Sequence, residues 1–174
     1  MDIIGSSTIK PIWFFSGKIC GYFTWIILLL SYFNIHIFDN QSIQIFVYIS
    51  YCIVVLGLLF IFISLLHLGQ SIRLGLPKEA TELKTHGIYQ YSRNPMYVGF
   101  NLLTISSIIY TNSIFITIIG IYSIIIYYFI IIGEERFLER TFKSKFVKYK
   151  EKVRSIFNQF CIHRKCIHNV SIFD

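Results

Sequence analysis

The sequence predicts an all-α protein, an integral membrane helical bundle of about four spans that includes a helical hairpin, plus a C-terminal cytoplasmic amphipathic helix. Three observations predict it. Hydrophobic residues make up 55% of the 174 and charged residues only 14%, where soluble domains carry roughly 25% charged residues. A soluble core of this size leaves about a third of the chain's surface in water, so it has no room for that much apolar surface. Several apolar runs reach the ~20 residues that cross a ~30 Å hydrocarbon core. Finally, Lys and Arg fall in alternate connections between these runs, as the positive-inside rule requires of a multi-pass chain. The same composition excludes intrinsic disorder, a disulfide-stapled secreted module and an ordinary soluble enzyme.

Taken in order, the first span is expected over 19–38, apolar apart from Thr24, Ser31, Asn34 and His36. No small-residue cleavage site follows it, so it is read as a span and not as a cleaved signal peptide. The second, 43–66, carries no charge. Met96 to Ile132 is too long for one helix and is interrupted by Thr111-Asn112-Ser113, polar side chains that favour a turn by bonding their own backbone. The expected hairpin has legs 96–110 and 114–132. The chain is read as a single membrane domain, 1–174.

Between the second and third spans lies a polar loop, 67–95, broken up by Gly69, Gly75, Pro77, Gly87 and Pro95. After the last span, Leu138, Phe142, Phe146, Tyr149 and Val153 recur at helical intervals among Lys and Arg. That pattern predicts an amphipathic helix over about 134–157 at the headgroup level, followed by a basic tail, 158–174.

Lys10 and Lys18 precede the first span, the Asp39-Asn40-Gln41 connection has no basic residue, and Arg73, Lys78, Lys84 and Arg93 fill the next. The Thr111 turn again has none, and the remaining Lys and Arg follow the last span. Both termini and the motif loop are therefore expected in the cytoplasm. The net charge of +7 lacks the aromatic-basic interleaving of nucleic-acid modules, and contact with anionic lipid is the expected partner instead.

Three clusters are candidates for chemistry. In Gly87 to Gly99, Gly, Pro and polar aromatics gather where the loop enters the hairpin. Pro95 suits a helix start, and Arg93 beside a helix N-terminus suits an anion; a snorkelling Arg in an interfacial Tyr belt is the plainer alternative. Glu134-Glu135, at the membrane exit, is costly unless engaged. Its plainer alternative is a first-turn capping role in the amphipathic helix, or pairing with Arg136 or Arg140. Cys161, His163, Cys166 and His168 have the residue types of a zinc site, but the spacing matches no common finger and Arg164 and Lys165 oppose a cation. No metal is expected.

The combination of Arg73-Leu74-Gly75 through Gly99, Glu134-Glu135-x-x-Leu138-x-x-x-Phe142 and Phe146-x-x-Tyr149-x-x-x-Val153 resembles the isoprenylcysteine carboxyl methyltransferase / phospholipid methyltransferase family. These are small integral membrane enzymes that use S-adenosylmethionine. The resemblance covers about Leu68 to Val153. The family's Gly-x-Tyr…Arg-His-Pro-x-Tyr-x-Gly signature reads here Gly87-Ile88-Tyr89, then Arg93-Asn94-Pro95-Met96-Tyr97-Val98-Gly99. Asn94 replaces the usual His, and Phe142-Lys143 stands where Phe-Gly is usual.

The resemblance implies a cytoplasmic cofactor pocket lined by Thr81, Glu82, Leu83, Lys84, Tyr89, Asn94, Pro95, Met96 and Tyr97. Glu134, with Glu135 beside it, would bond the cofactor's polar part. Aromatic faces suit a sulfonium, and its ammonium and ribose hydroxyls want acceptors. Arg93 and Glu134 are the residues expected to carry activity, Arg93 either anchoring the motif or holding an acidic acceptor. Eukaryotic prenylcysteine enzymes of this kind carry an Arg where Ile130 stands here. The expected acceptor is therefore a lipid-borne or hydrophobic molecule, of prenylcysteine-carboxylate or phospholipid-amine type. The alternatives are a steroid-reductase-like enzyme using NADPH, and a non-catalytic membrane protein whose polybasic helix binds anionic lipid.

Overall fold

The computed structural model describes residues 10–35, 37, 43–68 and 83–153. Within them the chain forms helices α1 (Pro11–Tyr32), α2 (Gln44–Leu68), α3 (Pro95–Thr111), α4 (Ile114–Phe142) and α5 (Ser144–Lys152), with a short 3-10 turn over Gly87–Gln90 before α3. α1, α2 and α4 are each long and apolar enough to cross a membrane; α3 has 17 residues, about 25 Å of helix.

Two helices start where proline fixes the backbone: Pro11 opens α1 and Pro95 opens α3, at positions where the missing N–H would be unsatisfied anyway. α3 ends on Asn112, which takes the left-handed conformation (φ 45°, ψ 32°). Asn tolerates that region, and Thr111-Asn112-Ser113 makes the tight turn into α4.

The helices are held together mainly by small and polar side chains. The buried residues of α2 are Ser50, Gly57 and Ser64, a stripe of small residues. Gly57 meets Gly99 of α3 so closely that a Cβ on Gly99 would lie 2.7 Å from the Gly57 carbonyl oxygen. Gly17 and Gly21 of α1 do the same against Ile126, Ser123 and Tyr127 of α4. Such spacing lets helix backbones approach where lipid offers no hydrophobic contrast. Hydrogen bonds cross the contacts. Ser107 Oγ donates to the Thr24 carbonyl at 2.7 Å, Ser123 Oγ to the Gly17 carbonyl at 3.0 Å, and the Ser50 and Ser106 hydroxyls meet at 2.7 Å. Each is worth about 0.6–2 kcal/mol in a membrane setting.

The order of these contacts sets the topology. Gly17 faces Ile126 while Gly21 faces Ser123, so α1 and α4 are antiparallel, as are α2 and α3 through Ser50–Ser106 and Gly57–Gly99. One end of the bundle therefore collects the start of α1, the end of α2, the start of α3 and the C-terminal part of α4. Outward faces carry large apolar side chains such as Ile26, Leu29, Leu58, Phe62 and Ile118. The protein is a membrane protein.

Two expectations are corrected here. The first helix occupies 11–32, not 19–38, so Lys18 lies inside it. The amphipathic helix expected over about 134–157 is two pieces. Glu134 to Phe142 continue α4, and the chain then breaks at Lys143 (φ 45°, ψ −120°) before α5. The apolar face read from the sequence survives the break. Phe146, Tyr149 and Val153 are buried together, with Leu138, Phe142 and Leu83 packed on them. That face closes on Leu83 of the chain's own loop and on the end of α4. The connections at 39–41 and 73–78 and the Cys161–His168 tail lie outside the described residues.

Candidate functional site

The site lies where α3 starts and α4 leaves its apolar stretch. Arg93 is buried, its side chain 2% exposed, and its Nη1 donates to Glu135 Oε2 at 3.1 Å. Asn94 Nδ2 donates to Glu135 Oε1 at 3.3 Å. One carboxylate of α4 thus holds two successive residues at the entrance of α3. Neighbouring Glu134 accepts a 2.6 Å hydrogen bond at Oε1 from the Tyr97 hydroxyl. With Pro95 buried and Tyr97 packed on Phe14, Ile126, Tyr127 and Ile130, the start of α3 is fixed against α4 at both carboxylates.

The loop is tied down in turn. The Tyr89 and Ser64 hydroxyls meet at 3.0 Å, and the Tyr149 hydroxyl donates to the Tyr89 carbonyl at 2.6 Å. Burial pushes the Tyr149 phenol up to about 12, with the Arg93 guanidinium pulling the other way. Burial also raises Tyr89 above the ordinary phenol value. Both phenols therefore stay protonated at neutral pH, and Tyr149 donates. Gly87, at φ 66°, supplies the left-handed residue that starts this turn.

Of the residues expected from the sequence, Tyr89, Arg93, Asn94, Pro95, Met96, Tyr97, Glu134 and Glu135 are brought to this one end. Leu83 turns into the cluster with Phe146, Tyr149 and Val153, and Lys84 is half-buried. Thr81 and Glu82 lie outside the described residues. The capping alternative for the acidic pair is overturned, because both carboxylates sit inside α4 and not at a helix start. The partner of Glu135 is Arg93 of the loop, not Arg136 or Arg140. Asn94, at the position where the resemblance leads one to expect His, supplies one hydrogen-bond donor toward Glu135. Lys143 adopts the conformation that the usual Gly would take without strain.

Sequence reading missed Lys18, Ser64 and Tyr149. Lys18 reaches the site because side chains on a helix lean toward its N-terminus. Its Nζ lies 4.0 Å from the Phe14 ring centre and interacts electrostatically with Glu134. The start of α1 at Pro11 was the available signal.

The donor set suits a small zwitterionic or cationic ligand. Glu134 keeps Oε2 without a hydrogen bond among the described residues. Among the described residues no cluster of His, Cys, Asp and Glu is placed to hold a metal ion. The phospholipid methyltransferase family matches the chain over residues 45–145, which takes in α2, the loop, α3, α4 and both carboxylates. No curated protein and no solved structure matches the chain. With more than half of its length in that match, and with the family's motif residues gathered at one end of the bundle, the chain belongs to the phospholipid methyltransferase family of membrane methyltransferases.

Proposed function

We propose that the protein is an S-adenosylmethionine-dependent methyltransferase acting on a lipid-borne acceptor at the cytoplasmic face of its membrane. The observation that supports this most is the joining of α3 to α4 through Tyr97–Glu134 and Arg93–Glu135. It leaves one carboxylate oxygen of Glu134 without a hydrogen bond among the described residues. In this reading Glu134 accepts from the cofactor's ammonium, and Tyr97 and Tyr89 line the sulfonium side. Asn94, Pro95 and Met96 form the wall, and Lys84 completes it. The bound cofactor supplies an electrophilic methyl group on a sulfonium. The protein's own part is orientation and exclusion of water, which suffice for an in-line transfer.

Two features favour an amine headgroup over a prenylcysteine carboxylate. Arg93 is committed to Glu135, so it anchors the motif. Ile130, where a carboxylate-binding Arg would stand, is fully buried among Phe14, Ile126 and Tyr127. In this reading the chain crosses the membrane four times with both termini and the motif loop in the cytoplasm, a topology supported by the alternation of basic segments along the sequence.

Calorimetry on detergent-purified protein tests the reading, with S-adenosylmethionine, its demethylated product and NADPH as ligands. The first two should bind and NADPH should not. Binding of NADPH alone would replace the proposal with a reductase; binding of none would leave a non-catalytic membrane protein.

A further inference from the structure

A lysine inside a membrane-facing helix is costly unless its ammonium reaches water or a partner. Lys18 sits in the second turn of α1, which lies outside the 45–145 family match. Its stem runs back over Phe14, with Nζ 4.0 Å from the ring centre. Phe14 is buried against Ile126, Tyr127 and Ile130, and Tyr97 packs on the same cluster. Tyr97 in turn donates to Glu134. The ammonium is thereby brought to the level of the Glu134 carboxylate. The two attract, yet no ion pair within 4.0 Å closes between them among the described residues. The result is a cation on α1 and an anion on α4 linked through one aromatic cluster, with one oxygen of the anion taking no hydrogen bond among the described residues.

An α-amino acid end group presents the complementary pair, an ammonium and a carboxylate on one carbon. We infer that Lys18 receives the α-carboxylate of the cofactor's amino-acid end while Glu134 takes its α-ammonium. The inference rests on the methyltransferase reading and extends the site to a helix that the family match does not include. It also gives Lys18 a role that lipid snorkelling does not, since a headgroup contact would be indifferent to the cofactor.

The test compares S-adenosylmethionine with its decarboxylated analogue, which keeps the sulfonium and ammonium but lacks the carboxylate. Affinities are measured by calorimetry on the full chain in detergent. Lys18→Gln should weaken S-adenosylmethionine by roughly ten- to a hundredfold, the loss of one charge-assisted hydrogen bond. It should leave the decarboxylated analogue unchanged, and Lys18→Arg should restore most of the discrimination. Glu134→Gln should weaken both ligands. Equal losses on both ligands in Lys18→Gln, or no loss on either, would overturn the inference while leaving the cofactor reading intact. Wild-type protein that binds neither ligand would overturn the reading and this inference with it. A melting curve for each variant separates misfolding from lost contact: a Lys18→Gln protein that fails to fold is replaced by Lys18→Met, judged on the same ratio of affinities.

Discussion

If Arg93 anchors the motif, its energy is shared with Glu135 and a double-mutant cycle will show it. The perturbation is Arg93→Met, Glu135→Met and the pair together. The guanidinium is 2% exposed and the carboxylate 15% exposed, joined at 3.1 Å. Removing either partner strands the other charge in a poorly solvated site, which costs about 3–5 kcal/mol. The lower end applies to Arg93→Met, because Glu135 keeps its hydrogen bond from Asn94. Replacing both removes the stranded charge, so the double variant should cost less than the two singles together, with a coupling of about 2 kcal/mol. The assay is reversible unfolding in mixed micelles, titrated with a denaturing detergent and followed by helical circular dichroism. Coupling below about 0.5 kcal/mol, the additive limit for independent sites, would refute the pairing. It would also release Arg93 for an acidic acceptor.

Two further predictions follow from particular residues. Lys143→Gly should stabilise the protein by about 1 kcal/mol, because the residue holds φ 45° and ψ −120°, a region costing roughly 1–3 kcal/mol for a residue with a side chain. Lys143→Ala should give no such gain, and equal effects of the two in the same unfolding titration would contradict the strain. In a topology assay, reporters placed after Asp174 and at Lys78 should read cytoplasmic and one at Asn40 should read on the far side. A shared side for Asn40 and Lys78 would remove α2 as a span.

The parts of the fold governed by local chemistry were legible in the sequence. Pro95 as a helix start, Asn112 as a turn and the apolar face from Leu138 to Val153 all depend on residues near one another in the chain. The start of α1 was misplaced because Lys18 reads as a flank; Pro11 was the local sign of an earlier start, and the packing of Phe14 and Gly17 on α4 shows Lys18 to be inside the helix. The break at Lys143 was hidden for a similar reason. The apolar spacing runs on through it, and only a strained backbone angle marks it. At the site, the motif residues and the two carboxylates were identifiable, but their pairing was not. Which glutamate meets Arg93 and which meets Tyr97 depends on how α3 and α4 face each other, and long-range contacts of that kind leave no local pattern. The Gly17-x-x-x-Gly21 spacing was a readable sign of close helix packing, and it is what brings Lys18 alongside the site.

The most direct test of the account is methyl transfer itself. Purified protein is incubated with S-adenosylmethionine labelled on its methyl group and with vesicles containing ethanolamine phospholipid, prenylcysteine, or neither. The account predicts label in the amine lipid, none in vesicles lacking an acceptor, and a loss of cofactor affinity of roughly ten- to a hundredfold in Glu134→Gln protein. Label appearing only in the prenylcysteine would contradict the assignment of the acceptor. Wild-type protein that moves no label to any lipid, or a Glu134→Gln protein as active as wild type at limiting cofactor, would contradict the central claim.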